Sequence, residues 1–461
     1  MLDALWTAED IAAATDGKVA GDFAVTGVSI DTRSVEAGDL FVPLVGARDG
    51  HDFVAQAVAN GATGVLAAKA VDAPAVMVED TFKALEALGV AARERAPQCK
   101  RGAVTGSVGK TSVTRAVEAG LRLAGKGHAS VKSYNNHIGV PLTLARMPRD
   151  TERAVFEIGM NHADEITPLS KFVRPHAVAI TTVGPVHLEN FENEEGVARA
   201  KAEIFDGLEP GGVAVLNADN KWFDLLKAEA EKAGATVWSF GEAAGATARL
   251  TGFAVEGEGA TVSMDLRGEV IDFPIRQTGV HWGPNSLCVL LMLEALDVSR
   301  ETALAALAAF APIEGRGAEK TVRIPGGSFT LVDESYNANP VSMQAALKTL
   351  GARKVAGRRV IALTDMLELG EDSPRFHAEL AGPIGHANVD MVFLAGVHMK
   401  SLWEALPPTR RGGYAEVTEK LTTSLAGAVQ PGDVVMVKGS NGSKAGVLAQ
   451  ALAALDLGEQ G

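Results

Sequence analysis

The chain has 461 residues, a formal charge of −14, 47% hydrophobic residues and 22% charged residues. That length exceeds what one hydrophobic core serves, so about three domains are expected, and the acidic balance excludes a general nucleic-acid surface. Two cysteines, Cys99 and Cys288, supply neither a disulfide framework nor a metal spacing, and no apolar run reaches the roughly 18 residues of a membrane helix. The N-terminal stretch MLDALWTAEDIAAAT is acidic and amphipathic, unlike a secretory signal. A cytoplasmic protein with no nucleic-acid partner and no membrane insertion is therefore expected.

Residues 1–98 carry strand signals in VTGVSIDT, DLFVPLVG, GVLAAK and AVMVED and a helical FVAQAVANGA, which predicts a small α/β domain. Within it Ser29, Asp31, Thr32 and Arg33 place polar groups on a turn. An arginine with turn N–H groups can hold a phosphate or a uracil edge. From the residues alone, a surface Asp31–Arg33 pair is the simpler account.

A second domain is expected over residues 99–312. It opens on Thr105-Gly106-Ser107-Val108-Gly109-Lys110-Thr111-Ser112, followed by a helical pattern to about Leu123. Glycines that turn the backbone sharply, a lysine point charge and a hydroxyl able to complete a magnesium shell make a phosphate cradle. The standard phosphate loop has glycine five residues before Gly109, and Val104 stands there.

Asn135 and Asn136 lie in the polar loop SYNNHIGVP, suited to lining a cleft. Glu157 is the only charge at the end of the apolar strand AVFEIGM, so burial there demands a partner. The next apolar strand, AVAITTV, ends near His187, and sites in wound α/β sheets lie at such strand ends. Thr111, Glu157 and His187 can therefore converge on magnesium and phosphate oxygens, although histidine is an unusual magnesium ligand. Lys201 lies on the helical segment GVARAKAEIF, where a pair with Glu203 or contact with solvent explains it from spacing alone. Residues 236–276 read as a β-rich flap or edge. Asn285 opens a helical run as either an N-cap or an amide that reads a purine edge.

PIEGRG at 312–317, containing Arg316, marks a second boundary, and residues 313–461 form the third expected domain. TLVDESYNANP runs a strand into a polar turn with Asp333, Tyr336 and Asn337, and RRVIALTDM, DMVFLAGV and DVVMVKGS alternate with helices, predicting a second open parallel sheet. GSNGSK at 439–444 resembles a phosphate loop but lacks the following threonine. It reads as a polar strand-to-helix turn facing the cleft.

Taken together, SIDTRSVEAGDLFVPL, TGSVGKTS, YNNHIGVPLTL, EIGMNHADEI, VGPVHLENF, ARAKAEIF, DESYNANPVSM, DMLELG and VKGSNGSK span the chain. With them it resembles the Mur ligases of peptidoglycan synthesis, and within that family the ligases that add D-alanyl-D-alanine. The resemblance implies three α/β domains. They are a small N-terminal domain for the UDP-sugar-peptide, a central P-loop-type ATP-binding domain with a mostly parallel sheet, and a C-terminal Rossmann-like domain.

It also implies an ATP-dependent ligase that joins D-alanyl-D-alanine to UDP-MurNAc-tripeptide through an acyl phosphate, acting as a monomer. Lys110, Glu157, His187 and Lys201 would carry catalysis. Two Mg2+ ions would be held by Thr111, Glu157, His187 and a carbamylated Lys201. Residues 105–112 with Asn285, Arg316, Asp333, Tyr336 and Asn337 would bind ATP, while Ser29, Asp31, Thr32, Arg33, Asn135 and Asn136 would meet the peptide substrate. Departures from the family pattern at Thr32, Ser112 and Thr364 remove no charge.

Overall fold

Among the described residues three large sheets, with a small antiparallel pair of Trp6–Thr7 and Ala24–Val25, organise the fold, and the burial of the strands explains where the helices lie. The computed structural model describes residues 4–131, 133–186, 188–257 and 259–458. The first sheet has five short strands in the order Lys18–Ala20, Ala75–Met77, Gly64–Ala67, Asp39–Phe41 and Gly27–Ser29. Only its first pair is antiparallel. Helix Thr81–Glu94 packs beside it. Asp80 starts that helix by accepting from the Phe82 and Lys83 N–H groups, and Ala84, Leu85, Leu88 and Ala92 form its buried stripe.

The same helix docks on the short central helix Gly139–Ala145. A Cβ at Gly89 would lie 3.0 Å from the Pro141 carbonyl oxygen, so the approach leaves no room for a side chain. The Trp6 indole N–H donates to the Ala145 carbonyl at 2.8 Å, and the Arg95 guanidinium covers the ring at 3.6 Å. Arg146 Nε donates to the Val28 carbonyl at 2.6 Å. These contacts fix the first region against the loop that precedes Gly139.

The central sheet has nine strands, running from the edge strand Glu269–Ile275 through Gly259–Leu266, Ala248–Glu256, Thr236–Gly241, Val213–Asn217, Ala177–Ile180, Lys100–Thr105 and Arg153–Glu157 to Gly127–Ala129. From Ala248–Glu256 to Gly127–Ala129 all neighbours are parallel. The last two strands at the other edge are antiparallel and continue the same sheet. Helices cover both faces of the middle strands, which accounts for their nearly unbroken apolar sequences. Helix Trp282–Ala295 is apolar on every side because it packs between the sheet and helices Lys110–Ala124 and Arg300–Ala309.

Strand Lys100–Thr105 lies between Arg153–Glu157 and Ala177–Ile180, although strand Gly127–Ala129 follows it in the chain. The winding direction reverses at this point, which opens a crevice at the carboxyl ends of these strands. The third sheet orders Ala318–Ile324, Gly327–Glu334, Val434–Lys438, Arg359–Thr364, Met391–Ala395 and Arg411–Ala415. It is parallel except for the opening hairpin. Its carboxyl ends point its loops at the same crevice.

Trp6→Phe keeps the aromatic bulk and loses the hydrogen bond to Ala145, so a loss of about 1 kcal/mol is expected in chemical denaturation, against about 3 to 5 kcal/mol for Trp6→Ala. His128 is enclosed, with Nε2 2.8 Å from the Thr143 carbonyl oxygen, and burial pulls its pKa down to about 4. His176 is likewise held at about 4, by burial and by Arg101. The unfolded chain, with histidine near its ordinary ~6.5, therefore protonates first as pH falls. Stability should be full above about 6.5 and decline toward 4. His128→Gln should flatten the melting-temperature profile over that window.

Candidate active site

The phosphate loop joins strand Lys100–Thr105 to helix Lys110–Ala124. Gly106 and Gly109 have φ of 147° and 90°, which non-glycine residues rarely adopt. A Cβ at Gly106 would lie 1.9 Å from Thr181 Oγ1. The neighbouring strand end clamps the loop: Thr181 Oγ1 donates to the Val108 carbonyl at 2.5 Å, and Ser107 N–H to the Thr182 carbonyl at 2.8 Å. Gly109 caps the helix without a side chain, leaving its first N–H groups for an anion.

Lys110 Nζ donates to the Gly106 carbonyl at 2.6 Å. Burial lowers its pKa and Arg316 adds to the shift, against the pull of Glu157 and Glu368. Glu157 is 3% exposed and accepts from Asn135 Nδ2 at 2.7 Å. Lys201 is buried on helix Glu194–Ala202, and its pKa is driven well down by burial and by the like charge of Lys110. The expected pair with Glu203 does not form. That carboxylate instead accepts from the Asp164, Ile166 and Thr167 N–H groups at the start of helix Ile166–Val173.

The third domain closes over the loop. Arg316 Nη2 donates to Thr111 Oγ1 at 3.0 Å and its guanidinium lies 4.0 Å from the centre of the Tyr336 ring. The Tyr336 hydroxyl bonds Ser133 Oγ at 3.0 Å. A Cβ on Gly184 would come within 2.7 Å of Val341, so that glycine lets helix Pro340–Ala352 approach. A cavity of about 440 Å3 remains, bounded by Ser107–Ser112, Asn135, Glu157, His281, Asn285, Arg316, Tyr336 and Asn337 among others. Its size falls within the range of small-molecule sites.

Several candidates lie elsewhere. Thr105 is buried under the loop and Asn136 caps helix Gly139–Ala145 through the Ile138 and Gly139 N–H groups. Asp333 does not line the cavity; its carboxylate accepts from Gly315 and Ser335 N–H groups and so shapes the turn that carries Arg316. Ser29, Asp31, Thr32 and Arg33 stay on the first domain, outside this cavity, with Asp31 and Arg33 paired at 2.6 Å. Asn285 is not the N-cap of its helix. The helix starts at Trp282 after His281, so Asn285 sits in the first turn, its amide 3.4 Å from where a Cβ of Gly109 would be. His187 lies outside the described residues. The turn at Asn441–Ser443 does border the cleft, but Lys444 points to Glu419 at 2.7 Å.

Sequence reasoning missed Glu334 and Lys438, which face each other at the ends of adjacent parallel strands and pair at 3.2 Å on the cavity wall. Lys438 is a single charge at the end of an apolar strand, the signal that singled out Glu157. Applied to VVMVK, it would have found this lysine too.

Three family comparisons cover most of the chain: the Mur ligase family, catalytic domain, over residues 24–104; the Mur ligase middle domain over 104–293; and the Mur ligase glutamate ligase domain over 320–441. The chain is 32% identical over 445 residues to the UDP-N-acetylmuramoyl-tripeptide--D-alanyl-D-alanine ligase of Rickettsia prowazekii, covering 95% of this chain and 98% of that protein. It is 33% identical over 431 residues to the enzyme of the same name from Escherichia coli, covering 92% and 93%. The crystal structure of MurF from Acinetobacter baumannii superimposes with a TM-score of 0.85 at 28% identity, over 97% of this chain and 99% of that one. A folylpolyglutamate synthase from Mycobacterium tuberculosis, at 17% identity and TM-score 0.61 over 81% and 94%, shares the fold alone.

Lys438→Met leaves the Glu334 carboxylate without its cation. The expected cost is about 3 kcal/mol, read as a lower denaturation midpoint, with the Glu334→Gln/Lys438→Met double variant recovering more than half of it.

Proposed function

Since the chain belongs to the Mur ligase family, we propose that the cavity beside residues 105–112 is its ATP site and the place where its amide bond is made. The protein is an ATP-dependent ligase that adds D-alanyl-D-alanine to UDP-MurNAc-tripeptide in peptidoglycan synthesis. The observation that carries the site is the meeting of Lys110, Thr111 and Glu157 with Arg316 and Tyr336 from the third domain around one cavity.

In our reading the tripeptide's terminal carboxylate oxygen attacks the γ-phosphorus of ATP, the bridging P–O bond breaks and ADP leaves. The dipeptide amine nitrogen then attacks the acyl carbon, the C–O bond to phosphate breaks with its electron pair, and the amine loses its proton. Two anions must meet, so neutralisation and alignment carry much of the rate. The loop N–H groups, Lys110 and Arg316 supply positive charge where phosphate oxygens would lie. Asn285 beside the loop would meet the adenine, and the third domain's closure would exclude water from the acyl phosphate.

A hydroxyl and a carboxylate, Thr111 and Glu157, are the hard oxygen donors that Mg2+ takes, and that ion ordinarily keeps phosphate and water ligands besides. Among the described residues no three His, Cys, Asp or Glu side chains converge as a self-sufficient metal site. Bound Mg2+ would neutralise the β- and γ-phosphates. A second ion is proposed at His187 and a carbamylated Lys201. The buried Lys201, with no carboxylate pair among the described residues and its pKa pulled down, favours the neutral amine that adds carbon dioxide.

The N-terminal domain is proposed to take the UDP-sugar-peptide, with Ser29, Asp31, Thr32, Arg33, Asn135 and Asn136 as its contacts. The chain is proposed to act as a monomer. No helix among the described residues is long and apolar enough to cross a membrane. Cys99 and Cys288 are free and buried, which suits the reducing cytoplasm where we place the reaction.

ADP release should require both UDP-MurNAc-tripeptide and D-alanyl-D-alanine; turnover with a free amino acid but none with the dipeptide would contradict the assignment. Lys201→Ala should abolish ligation, with partial rescue by short carboxylic acids. Wild-type rates in that variant would remove the carbamate.

A further inference from the structure

Leu367-Glu368-Leu369 belongs to no helix or strand, yet it forms the third domain's edge of the crevice on the lysine side of the phosphate loop. With Val186 of the central domain and the turn Ser440-Asn441-Gly442 it encloses a cavity of about 170 Å3 that Ser107 and Lys110 also border. The segment continues to Gly370, where a Cβ would lie 3.4 Å from that of Glu189, so the third domain meets the central one along this seam. Glu368 and Gly370 have φ of 62° and 60°, which turn the chain sharply there.

A loop without ladder hydrogen bonds keeps its place only where other groups take up its backbone. Three successive residues are held in this way. The Asp365 carbonyl accepts from Ser440 N–H at 3.2 Å, Met366 N–H donates to His377 Nε2 at 3.0 Å, and Leu367 N–H donates to Ser440 Oγ at 3.1 Å. Ser440 Oγ in turn donates to the Ala338 carbonyl at 3.2 Å, in the turn that carries Tyr336 and Asn337. His377 is fully buried on helix Ser373–Glu379 and lines neither cavity. Because Met366 N–H can only donate, Nε2 carries the lone pair and the proton sits on Nδ1, 2.7 Å from the Ser373 carbonyl oxygen. Burial lowers the His377 pKa, helped by the stacked His398 ring and opposed by the Ser373 carbonyl and Asp365, which preserves the neutral form that this bond needs.

We propose that His377 and Ser440 are positioning residues for ligation: by holding Met366 and Leu367 through their N–H groups they keep this seam closed and so keep water from the acyl phosphate. The inference rests on the ligase reading above and assigns the groups that tie ATP consumption to the presence of the dipeptide. Water is far more concentrated than any amine, so an acyl phosphate survives only where water is kept out. With the seam loosened, a water oxygen attacks the acyl carbon and the C–O bond to phosphate breaks with its electron pair. The tripeptide carboxylate, inorganic phosphate and a proton result, and ATP is spent without a ligated product. The two residues act through the backbone of the loop, so their loss opens a side reaction and leaves the groups that bind the phosphates in place.

The experiment uses the full chain with ATP, Mg2+ and UDP-MurNAc-tripeptide, and reads ADP release with and without D-alanyl-D-alanine alongside ligated product. His377→Met and Ser440→Ala should each raise tripeptide-dependent ADP release in the absence of the dipeptide by about fivefold or more over wild type. His377→Gln, whose amide oxygen can accept from Met366 N–H, and Ser440→Thr, which keeps the hydroxyl, should stay near the wild-type value. A variant that only loses folded protein lowers every rate together, so a gained hydrolysis separates positioning from stability. Should His377→Met fail to fold, Ser440→Ala still decides. ADP release at the wild-type level in the folded variants overturns the proposal, as does an equal rise in His377→Gln and Ser440→Thr. A wild-type chain that ligates but releases ADP as fast without the dipeptide overturns it too, whereas one that forms no ligated product defeats the ligase reading instead.

Discussion

Positive charge held at the carboxyl ends of two parallel sheets is the constraint on which the rest of this structure depends. Lys110 from the central domain and Arg316 from the third line one crevice together with the buried carboxylate of Glu157, and Lys201 is buried within reach of the Lys110 charge. Burial of cations is costly unless anions answer them. The depressed pKa directions of Lys110 and Lys201 register that cost. A polyphosphate with Mg2+ would relieve it, and a carbamate on Lys201 would convert one of the opposing cations into an anion.

The fold can hold this arrangement because each charge rides on a rigid element. Lys110 begins a helix, Glu157 ends a strand, and Arg316 sits on a turn pinned by Asp333. The Glu334–Lys438 pair, set by the register of two parallel strands, forms a neutral wall opposite. Glycines at 106, 109 and 184 are what let backbone and domains come close enough for these groups to share a cavity.

Much of this was legible in the chain. Buried parallel strands read as apolar runs, and a lone charge at the end of such a run has to be functional or paired, which is why Glu157 stood out and why Lys438 should have. The three-sheet α/β organisation follows from the same alternation of apolar strands and helical patterns. Less visible was the purpose of polar residues in turns. Asn136 serves a helix start and Asp333 a backbone turn, and hydrogen bonds of a side chain to nearby N–H groups leave no mark that distinguishes them from ligand contacts.

By itself the sequence determined the phosphate loop, the strand-end carboxylate and the order of the α/β units, since these depend on spacing within a few residues. Only the tertiary structure decided that Lys201 has Lys110 rather than Glu203 for its electrostatic neighbour, and that Arg316 reaches Thr111 across 205 positions of chain. It also decided that the DMLELG loop closes a second cavity against Lys110. The physical reason is that these relations are set by how sheets and domains pack, and packing brings together residues whose separation in the chain carries no periodic signal.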